Sequence, residues 1–475
     1  MHGKMIKARG ERYNGFALFP ILYPMDDKMS KQNKRFYIKT YGCQMNDYDS
    51  AKLEALLLKH GYSRAEEPED ADYIIANTCS VRKSAEDRAF AFLSTQKPLR
   101  KKGTKICLLG CMANLYGPDL LKKHRFLDIV CGPNNYKDLP EILEKGGRQS
   151  FTGDCADPFL EVFHPPDSSL SACITVTKGC ENFCSYCVVP FTRGKLASRP
   201  PETILKEIEW LSEKGVREIT LLGQNVNEYG RGTETDFSSL LEKVQSIGGI
   251  TRIGFTTSHP KDIPEKLIGL FKTMPRLYKH LHLPMQSGSD RILALMNRKY
   301  TLEKYMRIVD KAREAFQDIN ITSDIIVGYP GEKKSDFDET CRAIEKISFD
   351  DLFVFKYSNR PGTPASMMKE TVSSEEKENR HKTILSIQDS ISLSRNEKYL
   401  GKKLPVFMRS ASGKKKGFLV GRTITNKPVL IKSGGENLGL VMTAEITKAF
   451  RRYLAGVLCD VNRQEKVSSP SRGQN

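Results

Sequence analysis

The sequence predicts an α/β protein in three parts: an N-terminal doubly wound α/β domain, a central incomplete (β/α)6 barrel and a small C-terminal β-barrel. Two runs of alternating strands and helices and one abrupt change of pattern predict it. In the first run, RFYIKTYG (35 to 42), DYIIANT (72 to 78), KICLLG (105 to 110) and LDIV (127 to 130) read as short buried strands. Helical segments separate them, among them SAKLEALLLKHGY (50 to 62), whose Gly61 sits where a C-terminal cap belongs. Strands that alternate with helices need a parallel sheet, hence the doubly wound domain. In the second run, six candidate strands appear: ACITVTKG (172 to 179), REITLLG (217 to 223), RIGFTT (252 to 257), HLHLP (280 to 284), NITSDIIVG (320 to 328) and DLFVFKYS (351 to 358). One-faced helices such as 201 to 215 and 301 to 316 lie between them. Six units make an incomplete barrel, because residues 375 to 400 read as one long polar helix rather than two further units. From Lys402 the pattern changes to short strands with Gly-rich turns, which suits a small β-barrel.

Bulk properties narrow the function. At 475 residues the chain exceeds one ordinary domain. Its 75 Lys and Arg against 57 Asp and Glu leave +18, which points to a polyanionic partner; a merely solvated basic face is the alternative. No apolar run is long enough for a membrane helix, so no membrane association is expected. Lys4, Lys7, Arg9 and Arg12 precede the apolar stretch from Phe16 to Met25, loosely as in a signal peptide. Pro20 and Pro24 interrupt that stretch and no small-residue cleavage site follows, so residues 1–33 are read as a disordered extension and the location as cytoplasmic. Twelve cysteines in a chain this long do not form a small disulfide scaffold, and their clustering favours metal binding in a reducing compartment.

Cys180, Cys184 and Cys187 form C-x3-C-x2-C directly after the first strand of the central region. A structural zinc site would be expected to take four ligands, whereas three cysteines on a cubane cluster leave one iron open to a chelating molecule. With Tyr186 before the last cysteine, the segment resembles the signature of radical S-adenosylmethionine enzymes. The resemblance implies that the methionine amino and carboxylate groups of S-adenosylmethionine occupy the open iron. Barrel active sites form at the C-terminal strand ends, where Gln224 and Asn225, Ser258 and His259, and Gln286 and Ser287 follow the second, third and fourth strands. Each is a candidate cofactor or substrate contact or a loop hydrogen bond. Gly328 in IIVGYPGE is a candidate for close backbone approach to the cofactor, or a plain βα turn.

Cys43, Cys79 and Cys111 each fall at the C-terminal end of one of the first three strands, the edge where doubly wound sheets bind ligands. They are spaced by about one βαβ unit and so can converge. Cys107 lies inside its strand and reads as core. Cys131 ends the fourth strand and is a possible fourth ligand.

The segments KTYGCQMNDYDS (39 to 50), ANTCSVR (76 to 82), GCMAN (110 to 114), CENFCSYCVVPFTRG (180 to 194), HLPMQSGSDRILALMNRKYT (282 to 301) and YSNRPGTPA (357 to 365) together resemble the methylthiotransferases. The likeness is strongest to the branch that acts on isopentenylated adenine in tRNA, on Gln44 and Met45 after Cys43 and RPGTPA after Asn359. It implies two 4Fe-4S clusters, an auxiliary one on Cys43, Cys79 and Cys111 and the radical one on Cys180, Cys184 and Cys187. It further implies S-adenosylmethionine as cofactor and addition of a methylthio group to C2 of N6-isopentenyladenosine next to the tRNA anticodon. One molecule of S-adenosylmethionine would donate methyl to sulfur; another would yield the radical that removes hydrogen from carbon. The expected divisions are 34–150 for the auxiliary-cluster domain, 166–396 for the radical domain, 397–460 for a TRAM RNA-binding module and 461–475 for a disordered tail. Lys414 to Lys416, and Lys448, Arg451 and Arg452 near Phe450 and Tyr453, suit phosphate contact and base stacking, with solvated charge as the alternative. A flavodoxin- or ferredoxin-type electron donor and a monomeric state are also expected. Leu196 departs from the pattern, since relatives commonly carry Glu in TRGxExSRP, and Cys131 as a fourth ligand would close the iron that should carry sulfur. Competing readings are the methylthiotransferases of threonylcarbamoyladenosine and of a ribosomal-protein aspartate, and a non-catalytic iron-sulfur RNA-binding protein.

Overall fold

The structure, a computed structural model, describes residues 34–153, 158–163 and 170–459. The expected extension 1–33, the tail 461–475 and much of the linker between the first two parts lie outside the described residues.

The N-terminal part is one parallel six-stranded sheet built from β1 (Arg35–Tyr41), β2 (Ser63–Arg64), β3 (Tyr73–Thr78), β4 (Lys105–Gly110), β5 (Ile129–Cys131) and β6 (Gln149–Phe151), in the order β2-β1-β3-β4-β5-β6. β3 is buried along its whole length, which explains its apolar run. The sheet is covered on both faces. Helices Gln44–Lys59 and Leu139–Lys145 pack Leu53, Leu56, Leu57, Leu139, Ile142 and Leu143 on one side. Helices Lys83–Thr95 and Cys111–Tyr116 pack Ala89, Leu93, Met112 and Ala113 on the other. The strand order reverses at β1/β3, the switch point at which such sheets bind ligands. The two-residue edge strand β2 and the strand β6 are absent from the sequence-based expectation, because neither carries an apolar run; β6 falls in what the sequence presents as linker.

The central part begins with β7 (Ser171–Thr175) and a short antiparallel pair, β8 (Thr177–Lys178) and β9 (Ala197–Ser198). It continues through β10 (Glu218–Leu222), β11 (Arg252–Phe255), β12 (His280–His282), β13 (Asn320–Val327) and β14 (Asp351–Lys356). β7, β10 and β11 pair in parallel, as do β12, β13 and β14, and an isolated parallel bridge Ile253–Leu277 joins the two halves. The expected incomplete six-strand barrel is therefore present. Its helices present one apolar face: in Leu302–Ala315, Tyr305, Ile308, Val309 and Ala312 are buried, and the Thr301 hydroxyl caps the start by accepting from Lys304 N at 3.3 Å. A cap of this kind contributes about 1 kcal/mol. The long polar helix is Ser374–Glu397.

The C-terminal part is a closed barrel of β15 (Lys403–Ala411), β16 (Phe418–Thr423), β17 (Pro428–Lys432), β18 (Val441–Ala449) and β19 (Leu454–Leu458). Its β16–β17 turn fits against the N-terminal ends of the central strands. Lys279 N donates to Ile424 O (2.8 Å), the Asn320 amide to Thr425 O (2.8 Å), and the Arg252 guanidinium to Thr423 O (3.1 Å). Lys427 pairs with buried Asp350 at 2.7 Å. The small barrel thus closes the end of the central barrel opposite the cysteine triplet.

Candidate functional site

Each auxiliary cysteine is placed by a strand end. Cys43 follows β1 and precedes helix Gln44–Lys59; the Asn46 side-chain oxygen accepts from the Cys43 backbone N–H and thiol, both at 3.3 Å. Gly42 stands where a Cβ would lie 2.3 Å from that same oxygen. Cys79 follows β3 and accepts from Val81 N at 3.3 Å. Cys111 opens the helix after β4, next to Gly110 at φ +100°, where a Cβ would meet Thr78 O at 2.3 Å. Beneath them lies a buried amide network. Asn46 donates to Thr78 O (3.1 Å) and Asn77 Oδ1 (3.3 Å), Asn77 to Ser50 Oγ (2.9 Å), and the Tyr136 hydroxyl to Asn77 Oδ1 (3.1 Å). The thiols influence one another: the hydrogen bond from Cys79, partly offset by burial and aided by Arg193, brings Cys43 down to about 6. Cys79 moves upward through that same bond and burial.

The radical triplet sits in the loop after β8. Cys180 N donates to Gly194 O (3.2 Å), Ser185 N to Met296 O (3.0 Å) and Cys187 N to Cys184 O (2.9 Å). Phe183 adopts φ +49°, and the Asn297 amide holds its carbonyl at 2.8 Å. Arg298, buried, directs Nη1 at the Cys184 sulfur (3.4 Å) while donating through Nη2 to Pro284 O (2.9 Å) and Nε to Tyr300 Oη (3.0 Å). His259 accepts at Nδ1 from Lys261 N (3.2 Å), so its proton rests on Nε2, which lies 4.0 Å from the same sulfur. Burial, then Arg298, holds that ring down to about 2, so it is neutral.

All six cysteines line a single cavity of about 720 Å³ that extends into the barrel lumen. Among the described residues no three His, Cys, Asp or Glu side chains gather around a single-ion point. The remaining candidates divide. Gln224, Ser258 and Gln286 line the cavity. Gln224 already accepts from Gly179 N at 2.7 Å. The Ser258 hydroxyl and the Gln286 side-chain oxygen are buried with no hydrogen-bond partner among the described residues, as groups awaiting a ligand would be. Asn225 and Gly328 are not brought to the cavity. Asn225 bonds Glu228 and Asp262 (both 2.9 Å) and receives His259 N. Gly328, at φ +71°, packs against Lys377, where a Cβ would come 2.3 Å from Cγ. Cys131 points away as well: it is fully buried in the core with Cys107, its thiol facing Gly132 O and Asn135 O. Arg193 and Arg298 are site residues that sequence reasoning missed. Both lie in recognisable motifs, TRG and MNRKYT, but nothing in the spacing says that either reaches a cysteine.

A three-cysteine loop at the C-terminal ends of an incomplete parallel barrel is the arrangement of a radical S-adenosylmethionine protein. Accordingly the Radical SAM superfamily matches residues 174–344, and the uncharacterized protein family UPF0004 matches residues 35–132. Superfamily membership carries with it one 4Fe-4S cluster and S-adenosylmethionine. Two relatives are each 42% identical: the tRNA-2-methylthio-N(6)-dimethylallyladenosine synthases of Thermodesulfovibrio yellowstonii, matching 90% of this chain and 99% of its own, and of Syntrophus aciditrophicus, matching 90% and 95%. The chain belongs to the tRNA-2-methylthio-N(6)-dimethylallyladenosine synthase family. In fold it is similar to the radical S-adenosylmethionine methyltransferase TsrM from Kitasatospora setae, with TM-score 0.53 and 14% identity over 71% of this chain and 77% of that one.

Proposed function

We propose that the protein is a radical methylthiotransferase that acts on C2 of N6-isopentenyladenosine next to the tRNA anticodon. The observation that carries the reading is the shared cavity: two cysteine triplets, supplied by different parts of the chain, face one space. In this reading Cys180, Cys184 and Cys187 hold the radical cluster and Cys43, Cys79 and Cys111 a second 4Fe-4S cluster. When bound, the two groups and S-adenosylmethionine supply hydrogen-atom removal from an unreactive carbon and the sulfur that replaces the hydrogen. The chain's own residues do the rest. Arg298 and neutral His259 face Cys184, Arg193 faces Cys111, and the unpartnered Ser258 and Gln286 oxygens offer polar contacts to cofactor or substrate. The C-terminal barrel, with its lysine turn, is assigned to tRNA binding. The reading includes a flavodoxin- or ferredoxin-type electron donor, a monomeric enzyme and a cytoplasmic location; among the described residues no helix is long and apolar enough to cross a membrane.

Nucleosides from the tRNA of a deletion strain are expected to lack the 2-methylthio group on isopentenyladenosine and to regain it on complementation. Its persistence in the deletion strain would falsify the substrate assignment. Analysis of the same digest for methylthiolated threonylcarbamoyladenosine separates the nearest rival.

A further inference from the structure

Two short segments join the cysteine triplets through one buried side chain. Helix Val189–Arg193, which begins just past Cys187, packs against helix Cys111–Tyr116, and the Asn114 amide ties the two by donating to Thr192 O at 3.0 Å. From the end of the first helix Arg193 crosses to the N-terminal part. There its Nε donates to the Cys111 sulfur at 3.2 Å and its Nη1 to Asp49 Oδ2 at 2.5 Å. Asp49 does not cancel that charge alone, because Lys178 also lies 3.6 Å from its other oxygen. Arg193, Lys178 and Asp49 are all buried, so two cations share one carboxylate, and Arg193 is the one that reaches a cysteine sulfur.

We propose that Arg193 is a positioning residue for the auxiliary site: it holds Cys111 in register with the radical domain and raises the reduction potential of the iron bound there. The proposal rests on the two-cluster reading above. Electron counting says why such a charge is useful. Removing C2–H as a hydrogen atom, which forms a C–H bond on the 5′ carbon derived from S-adenosylmethionine, leaves one unpaired electron on the substrate carbon. Joining that carbon to a methylthiolate sulfur forms the C–S bond from three electrons and leaves one surplus. Its acceptor is the auxiliary 4Fe-4S cluster. A guanidinium hydrogen bond to one of its thiolates favours the more negative, reduced form, since net charge and hydrogen bonds to sulfur set these potentials.

The test uses full-length protein in which Cys180, Cys184 and Cys187 are replaced by Ala, so that only the auxiliary signal remains, with Arg193 intact or changed to Gln or Lys. Iron content, circular dichroism and an EPR-monitored redox titration are read after anaerobic reconstitution. The expected result is that Arg193→Gln lowers the potential by at least the equivalent of a tenfold change in the reduced-to-oxidised ratio, about 59 mV for one electron. Arg193→Lys, which keeps charge but not the directed bond, should fall between. Iron retained in the Lys variant but lost from a folded Gln variant also supports the proposal. An unchanged potential in the Gln variant overturns it, as does loss of fold in both variants, which would make the role structural only. Absence of an auxiliary cluster in the parent protein would instead overturn the two-cluster reading itself.

Discussion

Gly132 has no room for a side chain, because Asn114 fills the place: a Cβ would lie 1.8 Å from Asn114 Oδ1. Its backbone is ordinary extended chain at φ −72°, so the constraint is space rather than conformation. Asn114 cannot swing aside freely, since its amide holds Thr192 O across the contact that carries Arg193. Gly132→Ala is therefore expected to cost about 1–3 kcal/mol, the usual range for overpacking. Urea denaturation should show the lower midpoint, and an unchanged midpoint would refute the packing argument. His280 offers a pH test at the same scale. Its Nδ1 accepts from the Asn426 amide (3.3 Å), and Nε2 faces Thr322 Oγ1 at 2.9 Å. Burial, then His282, brings the ring down to about 3. The unfolded ring binds a proton below about 6.5 while the folded one does not. This contribution is fully present above pH 6.5 and declines as pH falls toward 3, by at most about 1.4 kcal/mol per pH unit. In His280→Gln the denaturation midpoint should vary less steeply with pH over that window; identical slopes would sink the claim.

At the scale of elements, the loop after β14 acts as a latch between the central and N-terminal parts. Arg360 reaches Glu86 Oε2 at 2.8 Å and Val81 O at 3.2 Å, with Arg360 and Glu86 both buried and the Tyr116 hydroxyl on Glu86 Oε1. Val81 is two residues past Cys79, so the latch bears on the cysteine loop directly. Arg360→Met removes the nearer of the two cations on buried Glu86 and leaves only Lys83, at 3.5 Å, a change that costs about 1.5–3 kcal/mol, as for a lost hydrogen bond to a charged group. Limited proteolysis should find the Cys79–Glu86 segment newly cleavable; wild-type resistance would count against the latch. The sequence indicates Arg360 only as a member of RPGTPA, because a contact to Glu86 bridges most of the chain and leaves no local pattern. The same limit separates what is legible in the sequence from what is not. Long apolar runs such as β3 and β13 declare themselves by buried residues, and the strand-end cysteines by their position after those runs. β2 and β6 are too short to show a period, and whether Asn225 or Gln286 turns toward the cavity depends on side-chain partners such as Asp262, distant in sequence, that leave no local pattern. Cys131 is ambiguous in the sequence for a related reason: a cysteine ending a strand faces either the ligand edge or the core, and only the packing around Gly132 and Asn135 decides for the core.

Across the whole molecule the three parts form a stack with the cysteines at one end of the central barrel and the C-terminal barrel sealing the other. The seal is ionic as well as geometric: Glu218 is shared by Arg252 (2.9 Å) and Arg409 (3.3 Å), and Asp350 by Lys427 (2.7 Å) and Arg395 (2.9 Å). Those cations are occupied, so they do not account for the attraction of a polyanion. The lysines of the β15–β16 turn are different. Lys414, Lys415 and Lys416 are exposed, and Lys415 lies 4.0 Å over the Phe418 ring rather than beside a carboxylate. The Phe450 and Tyr453 rings, stacked at 4.5 Å and partly exposed, lie on the β18–β19 turn. If the turn lysines bind phosphates, each neutralised phosphate releases condensed counterions and adds about 0.7–0.9 to the steepness of log affinity against log salt. Replacing all three by Ala should then flatten that slope for tRNA by about 2–3, with iron content and thermal midpoint unchanged. A Phe450→Ala, Tyr453→Ala variant should behave otherwise, weakening affinity at every salt concentration with the slope preserved, since stacking on a base carries no counterion release. Filter binding across a salt series distinguishes the two, and a lysine variant with the parental slope would place the phosphate-binding groups elsewhere on the protein.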